Sequence, residues 1–155
     1  MAGPADVALF EAVAAACRGL IPPELGEFGT RFHAYGLKLW FGTAQPGREH
    51  YEAQVIGARH VPDAQYLAIE IGFHSEHPKV AANDEVIARL IADERRWRKV
   101  LGDDAEVAPF LGREDLWRRV SETWVDPDLS DEDLAVEVAL RLTDYATALE
   151  PTLRG

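Results

Sequence analysis

The chain reads as an α+β fold on three observations: helical apolar periodicity at both ends, two-residue alternation between them, and short turns separating the alternating segments. Short turns allow only antiparallel pairing of neighbours, so the alternating segments form a meander.

From Ala5 to Leu20 the residues Val7, Leu9, Phe10, Val13, Ala14 and Cys17 recur at helical spacing, and Gly19, Pro22 and Pro23 stop the helix. The stretch Gly26 to Gly29 reads as a loop. In a first strand Tyr35, Leu37, Leu39 and Phe41 take one side, while Ala34, Gly36, Lys38 and Trp40 take the other. Thr43 to Arg48 is its turn; a second strand spans His50 to Ala58, and Pro62 and Asp63 lead into a third from Tyr66 to His74. After Pro78 a long helix is written by Val86, Ile87, Leu90, Ile91, Trp97 and Leu101, with Asn83 as its cap and Gly102 as its stop. Glu106 to Phe110 is a short fourth strand. Glu114 to Trp124 is expected as a helix, with Leu116, Trp117, Val120 and Trp124 on one side. Ser130 and Asp133 make a near capping box before a last helix through Leu134, Val138, Leu142, Tyr145 and Leu149, stopped by Pro151. Without repeats, low-complexity linkers or a break in composition, residues 1–155 are expected to be a single α+β domain.

The apolar rows set a register. Phe41 is placed opposite Tyr51, Leu39 opposite Ala53, Leu37 opposite Val55 and Tyr35 opposite Gly57; across the second turn Tyr51 meets Phe73, Ala53 meets Ile71 and Val55 meets Ile69. These rows are the core face, because a slip of one residue would carry polar groups into it.

The other face then gathers Lys38 with Gln54 and Glu70, Trp40 with Glu52 and Gly72, and Gly42 with His50 and His74. Diagonal neighbours on a sheet lie within about 8 Å, so Glu52 and Glu70 are candidate metal carboxylates. His50, His74 and His77 are candidate nitrogen ligands, and a mixed oxygen and nitrogen set suits manganese, iron or zinc. Trp40, Gln54, His50 and His74 form a candidate binding surface. The same residues fit an ordinary solvated sheet face, a groove, or a face covered by the C-terminal helices or a second copy of the chain.

The net charge of −11 disfavours polyanions such as nucleic acid. Only residues 89–119 escape the acidic balance, with 8 basic and 7 acidic side chains. There Arg95, Arg96, Arg98 and Lys99 flank Trp97, and Arg113, Arg118 and Arg119 flank Trp117. No run approaches the roughly 18 apolar residues of a membrane span, and Asp6 and Glu11 speak against a leader. Cys17, the only cysteine, excludes an intrachain disulfide, fits a reducing compartment, and sits on the apolar side of its helix as an inert thiol. These features predict a cytoplasmic protein. Phosphate-loop, nucleophile-elbow and His-Glu-x-x-His motifs are absent from the sequence.

The order helix, three antiparallel strands, helix, fourth strand over residues 5–110 resembles the αβββαβ core of the restriction-endonuclease-like superfamily. That family carries an acid on its second strand and Glu-x-Lys on its third. Glu52 stands near the first position, and Glu70, Ile71, Gly72 takes the second with the lysine missing. The resemblance implies magnesium held by Glu52 and Glu70, with Lys38 as a migrated water-activating base. By size and acidity the chain also resembles secretion-chaperone-like domains, which wrap a partner as dimers. Two readings follow. The first is a soluble non-catalytic binding or accessory domain without a cofactor, acting on a protein partner or small ligand and forming a homodimer. The second is a divalent-metal nuclease or phosphodiesterase.

Overall fold

The computed structural model describes residues 7–155. Its elements run α1 (Val7–Leu20), β1 (Phe28–His33), β2 (Gly36–Phe41), β3 (Glu49–Gly57), β4 (Leu67–Ser75), α2 (Val80–Ala92), α3 (Glu94–Leu101), β5 (Glu106–Phe110), β6 (Arg113–Val125) and α4 (Leu134–Arg154). The strands form one antiparallel sheet of six in the order β1-β2-β3-β4-β6-β5. The α+β class and the central meander are as the sequence predicts. Of the first helix, Ala5 and Asp6 lie outside the described residues.

One face of the sheet is the apolar face that the alternation predicts. Leu37, Leu39, Tyr51, Ala53, Ile69, Ile71, Phe73 and Val120 are all buried there, in one cluster with residues of the helices. Those are Phe10, Val13 and Cys17 of α1, Val86 and Leu90 of α2, Trp97 of α3, and Val138, Leu142 and Leu149 of α4. Each large apolar side chain removed from water in this way contributes about 1.5–3 kcal/mol. Helices therefore cover this face and leave the opposite one to the sheet's own side chains.

The structure corrects several expectations. The segment read as a loop at Gly26–Gly29 leads into β1, an edge strand paired with β2 from Phe28↔Phe41 to His33↔Gly36. Gly29 makes room there, since a Cβ would lie 2.6 Å from the Trp40 indole. The β3–β4 register is the expected one, whereas β2 slips by two residues against β3, placing Lys38 opposite Glu52 and Leu39 opposite Tyr51. A two-residue slip keeps every side chain on its own face, so the apolar rows cannot detect it.

The expected long helix is broken at Asp93 into α2 and α3. Trp97 stays fully buried, its indole donating to the Leu90 carbonyl across the break. Asn83 is no cap; it lies inside α2, buried. Glu114–Trp124 belongs to β6 and not to a helix, so there is one C-terminal helix and not two. Two polar residues of β6 point to the helix-covered side and break its alternation: Arg118 pairs with Asp84 of α2, and Glu122 bonds Arg141 and Tyr145 of α4. Pro151 does not stop α4, which runs on to Arg154 while the Arg96 guanidinium donates to the Ala148 carbonyl. The capping box does not form either, because Ser130 bonds Asp128 and Asp133 makes no side-chain cap.

Candidate metal centre

The face that the helices leave uncovered buries the polar groups at its centre, while Lys38 and Gln54 beside them are half-buried. His50 and His74 stand directly opposite each other on β3 and β4, with Glu52 opposite Gly72 and Gln54 opposite Glu70. His50, Glu52, Glu70 and His74 are all buried, His74 completely. Phe110 packs edge-on against the His74 ring at 4.7 Å between centroids, and Trp117 packs against Phe110 at 5.3 Å, so the turn end of the β5–β6 hairpin walls the cluster. Among the described residues, no buried side-chain polar atom lacks a hydrogen-bond partner.

Four side chains converge. His50 Nε2 lies 3.0 Å from Glu52 Oε1 and 3.4 Å from Glu76 Oε2, while His74 Nδ1 lies 3.1 Å and 3.3 Å from the same two oxygens. One ligand atom from each of the four residues falls within 4.8 Å of the others.

The outer hydrogen bonds decide what each imidazole presents to the middle. His50 Nδ1 donates to the Gly47 carbonyl at 3.0 Å, and a carbonyl can only accept, so Nε2 is left facing the two carboxylates. His74 Nε2 donates to Glu70 Oε2 at 2.8 Å, which leaves Nδ1 facing inward. Glu70 is fixed in turn by Ser121 Oγ at 2.6 Å and Gln54 Nε2 at 2.8 Å, and Arg119 donates to Ser121 Oγ. Carboxylate–imidazole pairs of this kind set ring orientation and basicity behind metal-ligating histidines.

The electrostatics agree. Burial opposes charge on every member, yet the neighbours prevail. Hydrogen bonds from His50 and His74 hold Glu52 far below the carboxylate range and Glu76 down to about 2. Glu52 and Glu76 raise His50, and Glu70 with Glu52 raises His74 well above the usual imidazole value. The pocket thus demands positive charge at its centre, from two protons or from one cation.

Of the residues singled out in the sequence, Glu52, His50 and His74 come together in the group that could hold an ion. Glu70 stands outside that group: it bonds His74 Nε2, while Glu76 joins Glu52 at His74 Nδ1. Lys38 stands opposite Glu52 and not in the row of Glu70. Gln54 braces Glu70. Trp40 is buried against β1, its indole donating to the Thr43 carbonyl. His77 pairs with Glu49 at 2.7 Å. Glu76 was missed because it follows the last residue of β4, beyond the reach of strand alternation; the nearest signal was the run His74, Ser75, Glu76, His77.

Four arginines of the basic stretches are engaged within the fold. Arg96 bonds Asp93 and Ala148, Arg98 bonds Glu94 and Ala105, Arg118 bonds Asp84, and Arg119 bonds Ser121 and Pro109. Cys17 is buried, its thiol pushed up to about 12 by that burial, as an inert core group would be. No helix of the described residues is long and apolar enough to cross a membrane. No protein-family model matches the chain, and neither the curated proteins nor the solved structures give a significant match to it.

Proposed function

We propose that the protein is a binding domain for one divalent first-row transition-metal ion, held by His50 Nε2, Glu52, His74 Nδ1 and Glu76. One observation carries this reading. Charge-assisted N–H···O bonds run about 2.7–2.9 Å, and the outer His74–Glu70 contact fits at 2.8 Å. The four inner contacts are longer, at 3.0–3.4 Å. Ligand atoms about 2.0–2.2 Å from a shared ion, at angles between square and tetrahedral, stand about 2.8–3.6 Å apart. The spacing of these four neighbouring pairs matches that of adjacent atoms around an ion, which supports the reading. Two imidazoles with two carboxylates favour zinc, iron or manganese over magnesium, which prefers oxygen and retained water.

The set supports the binding reading of the sequence more than the phosphodiesterase one. Phosphate needs several free cations near the metal; Arg96, Arg98, Arg118 and Arg119 are held by intramolecular partners, which leaves half-buried Lys38, opposite Glu52, as the cation beside the four side chains.

The test is metal content and stability together. Equilibrium dialysis of the wild type against zinc and manganese is expected to leave one ion per chain. Thermal unfolding should show a stabilisation of about 2.7 kcal/mol at a hundredfold excess over the dissociation constant. Both effects should vanish in His50→Ala and Glu52→Gln. A wild type that retains neither ion and gains no stability would overturn the proposal, whatever the variants do.

A further inference from the structure

The four ligands are not equivalent in how they are held. His50, Glu52 and His74 lie on β3 and β4, inside a ladder paired without interruption from Glu49↔Ser75 to Gly57↔Leu67. The His74 ring is fixed by Phe110 and Glu70, the His50 ring by the Gly47 carbonyl, and the Glu52 carboxylate by the two imidazoles. Glu76 comes after the end of β4, in the link to α2. Its carboxylate makes the two longest contacts of the set, 3.3 and 3.4 Å, against 3.0 and 3.1 Å for Glu52. Its side chain is also the most exposed of the four, at 13%.

The backbone beneath that carboxylate is nonetheless pinned. Glu76 N donates to the Arg48 carbonyl at 2.7 Å. On either side, Asn83 Oδ1 accepts from Ser75 Oγ and from His77 N, both at 2.8 Å. Glu76 is thus a loosely held side chain on a firmly held base, able to swing by its own torsions without moving the loop.

We propose that Glu76 is the exchangeable ligand of this centre, and that a small bidentate oxygen anion, a dicarboxylate or an α-hydroxy or α-keto carboxylate, takes its place on the ion. This rests on the metal-binding reading above. The three strand-borne ligands are two imidazoles and one carboxylate, the set that leaves coordination positions free for an incoming ligand. Charge points to the same class. A divalent ion with Glu52 alone carries one net positive charge, which Glu76 balances when bound; when Glu76 is away a monoanionic α-hydroxy or α-keto carboxylate balances it, and a dicarboxylate leaves one negative charge in excess. Displacement exchanges one oxygen donor for another and involves no redox or covalent step.

Cobalt(II), whose visible spectrum reports coordination, and oxalate are the probes. In the cobalt-loaded wild type, oxalate is expected to change the spectrum while cobalt and oxalate stay with the protein in equilibrium dialysis. Glu76→Ala should bind cobalt about 10- to 100-fold more weakly and recover most of that loss with oxalate; Glu52→Ala should not recover. Cobalt bound one to one by the wild type with a spectrum indifferent to oxalate overturns the proposal. So does oxalate that merely strips the ion, or equal rescue of both variants. If wild-type protein binds no cobalt, the metal-binding reading itself fails, a result distinct from all of these.

Discussion

His74 Nε2 meets Glu70 Oε2 at 2.8 Å while its Nδ1 faces Glu52 and Glu76 at 3.1 and 3.3 Å, so one ring is bonded outward and presented inward. Glu70 therefore acts on the centre through His74. Replacing it by Gln keeps the volume and the bond to Ser121 within reach, but removes the charge that makes His74 a better donor. Glu70→Gln is expected to weaken zinc binding by about 10- to 100-fold with the fold retained. Calorimetric titration of the folded variant checks this, and an unchanged affinity would refute the orienting role.

Gly72 sits between Glu70 and His74 at φ +155°, and a Cβ there would lie 2.3 Å from the Val120 carbonyl oxygen and 2.5 Å from Ser121 Cα. Both are backbone atoms of a paired strand, so neither can rotate away. Gly72→Ala must separate β4 from β6 or strain the chain, costing at least about 2 kcal/mol. Since Ser121 holds Glu70, metal affinity should fall with it. An unfolding free energy from urea titration within about 0.5 kcal/mol of wild type would show that the strands part freely.

Glu122 lies on the helix-covered side of β6 and accepts from Tyr145 Oη at 2.7 Å, Arg141 Nε at 2.9 Å and Trp124 Nε1 at 2.8 Å. Burial alone would raise its carboxyl; these donors and the Arg141 charge outweigh it and lower it. A carboxylate depressed in the folded state stabilises above its unfolded value, about 4.3, and that contribution is lost as pH falls through the lower folded value. Glu122→Gln should cost about 3 kcal/mol near neutrality, the low end for a broken buried pair because Arg141 keeps some contact with water. The gap between wild type and variant should close as pH falls below about 4. Parallel stability curves down to low pH would contradict this assignment.

These residues also show what could be read in advance. The faces of β2, β3 and β4 follow from alternation, and alternation survives a two-residue slip. His50, Glu52, Glu70 and His74 were therefore visible on one surface although Lys38 was paired with the wrong partner. The fate of that surface was not visible, because Phe110 and Trp117 come from strands distant in sequence. β6 was hidden by Arg118 and Glu122, polar residues turned toward helices whose Asp84, Arg141 and Tyr145 match them; burial of matched polar groups erases the pattern on which periodicity depends. β1 was hidden by Gly29, which reads as a breaker yet serves the indole of Trp40.

Asn83 supplies the last prediction. It reads as a helix cap, yet every bond its amide can make is used to join three segments. Oδ1 accepts from Ser75 Oγ and His77 N, and Nδ2 donates to the carbonyls of His77 at 3.1 Å and Leu116 at 2.8 Å. Asn83→Ala orphans those groups in a buried place, at about 1–3 kcal/mol each where water cannot replace the amide. Asn83→Asp is the sharper variant: it keeps the acceptor for Ser75 and His77 but sets an oxygen against two carbonyls. Both variants should lower the unfolding free energy from denaturant titration by about 2 kcal/mol or more, Asp at least as much as Ala, because repulsion replaces a bond instead of leaving a gap. An aspartate variant close to wild type would mean that the Ser75 and His77 bonds alone hold the Glu76 segment, and that the tie to β6 through Leu116 is incidental.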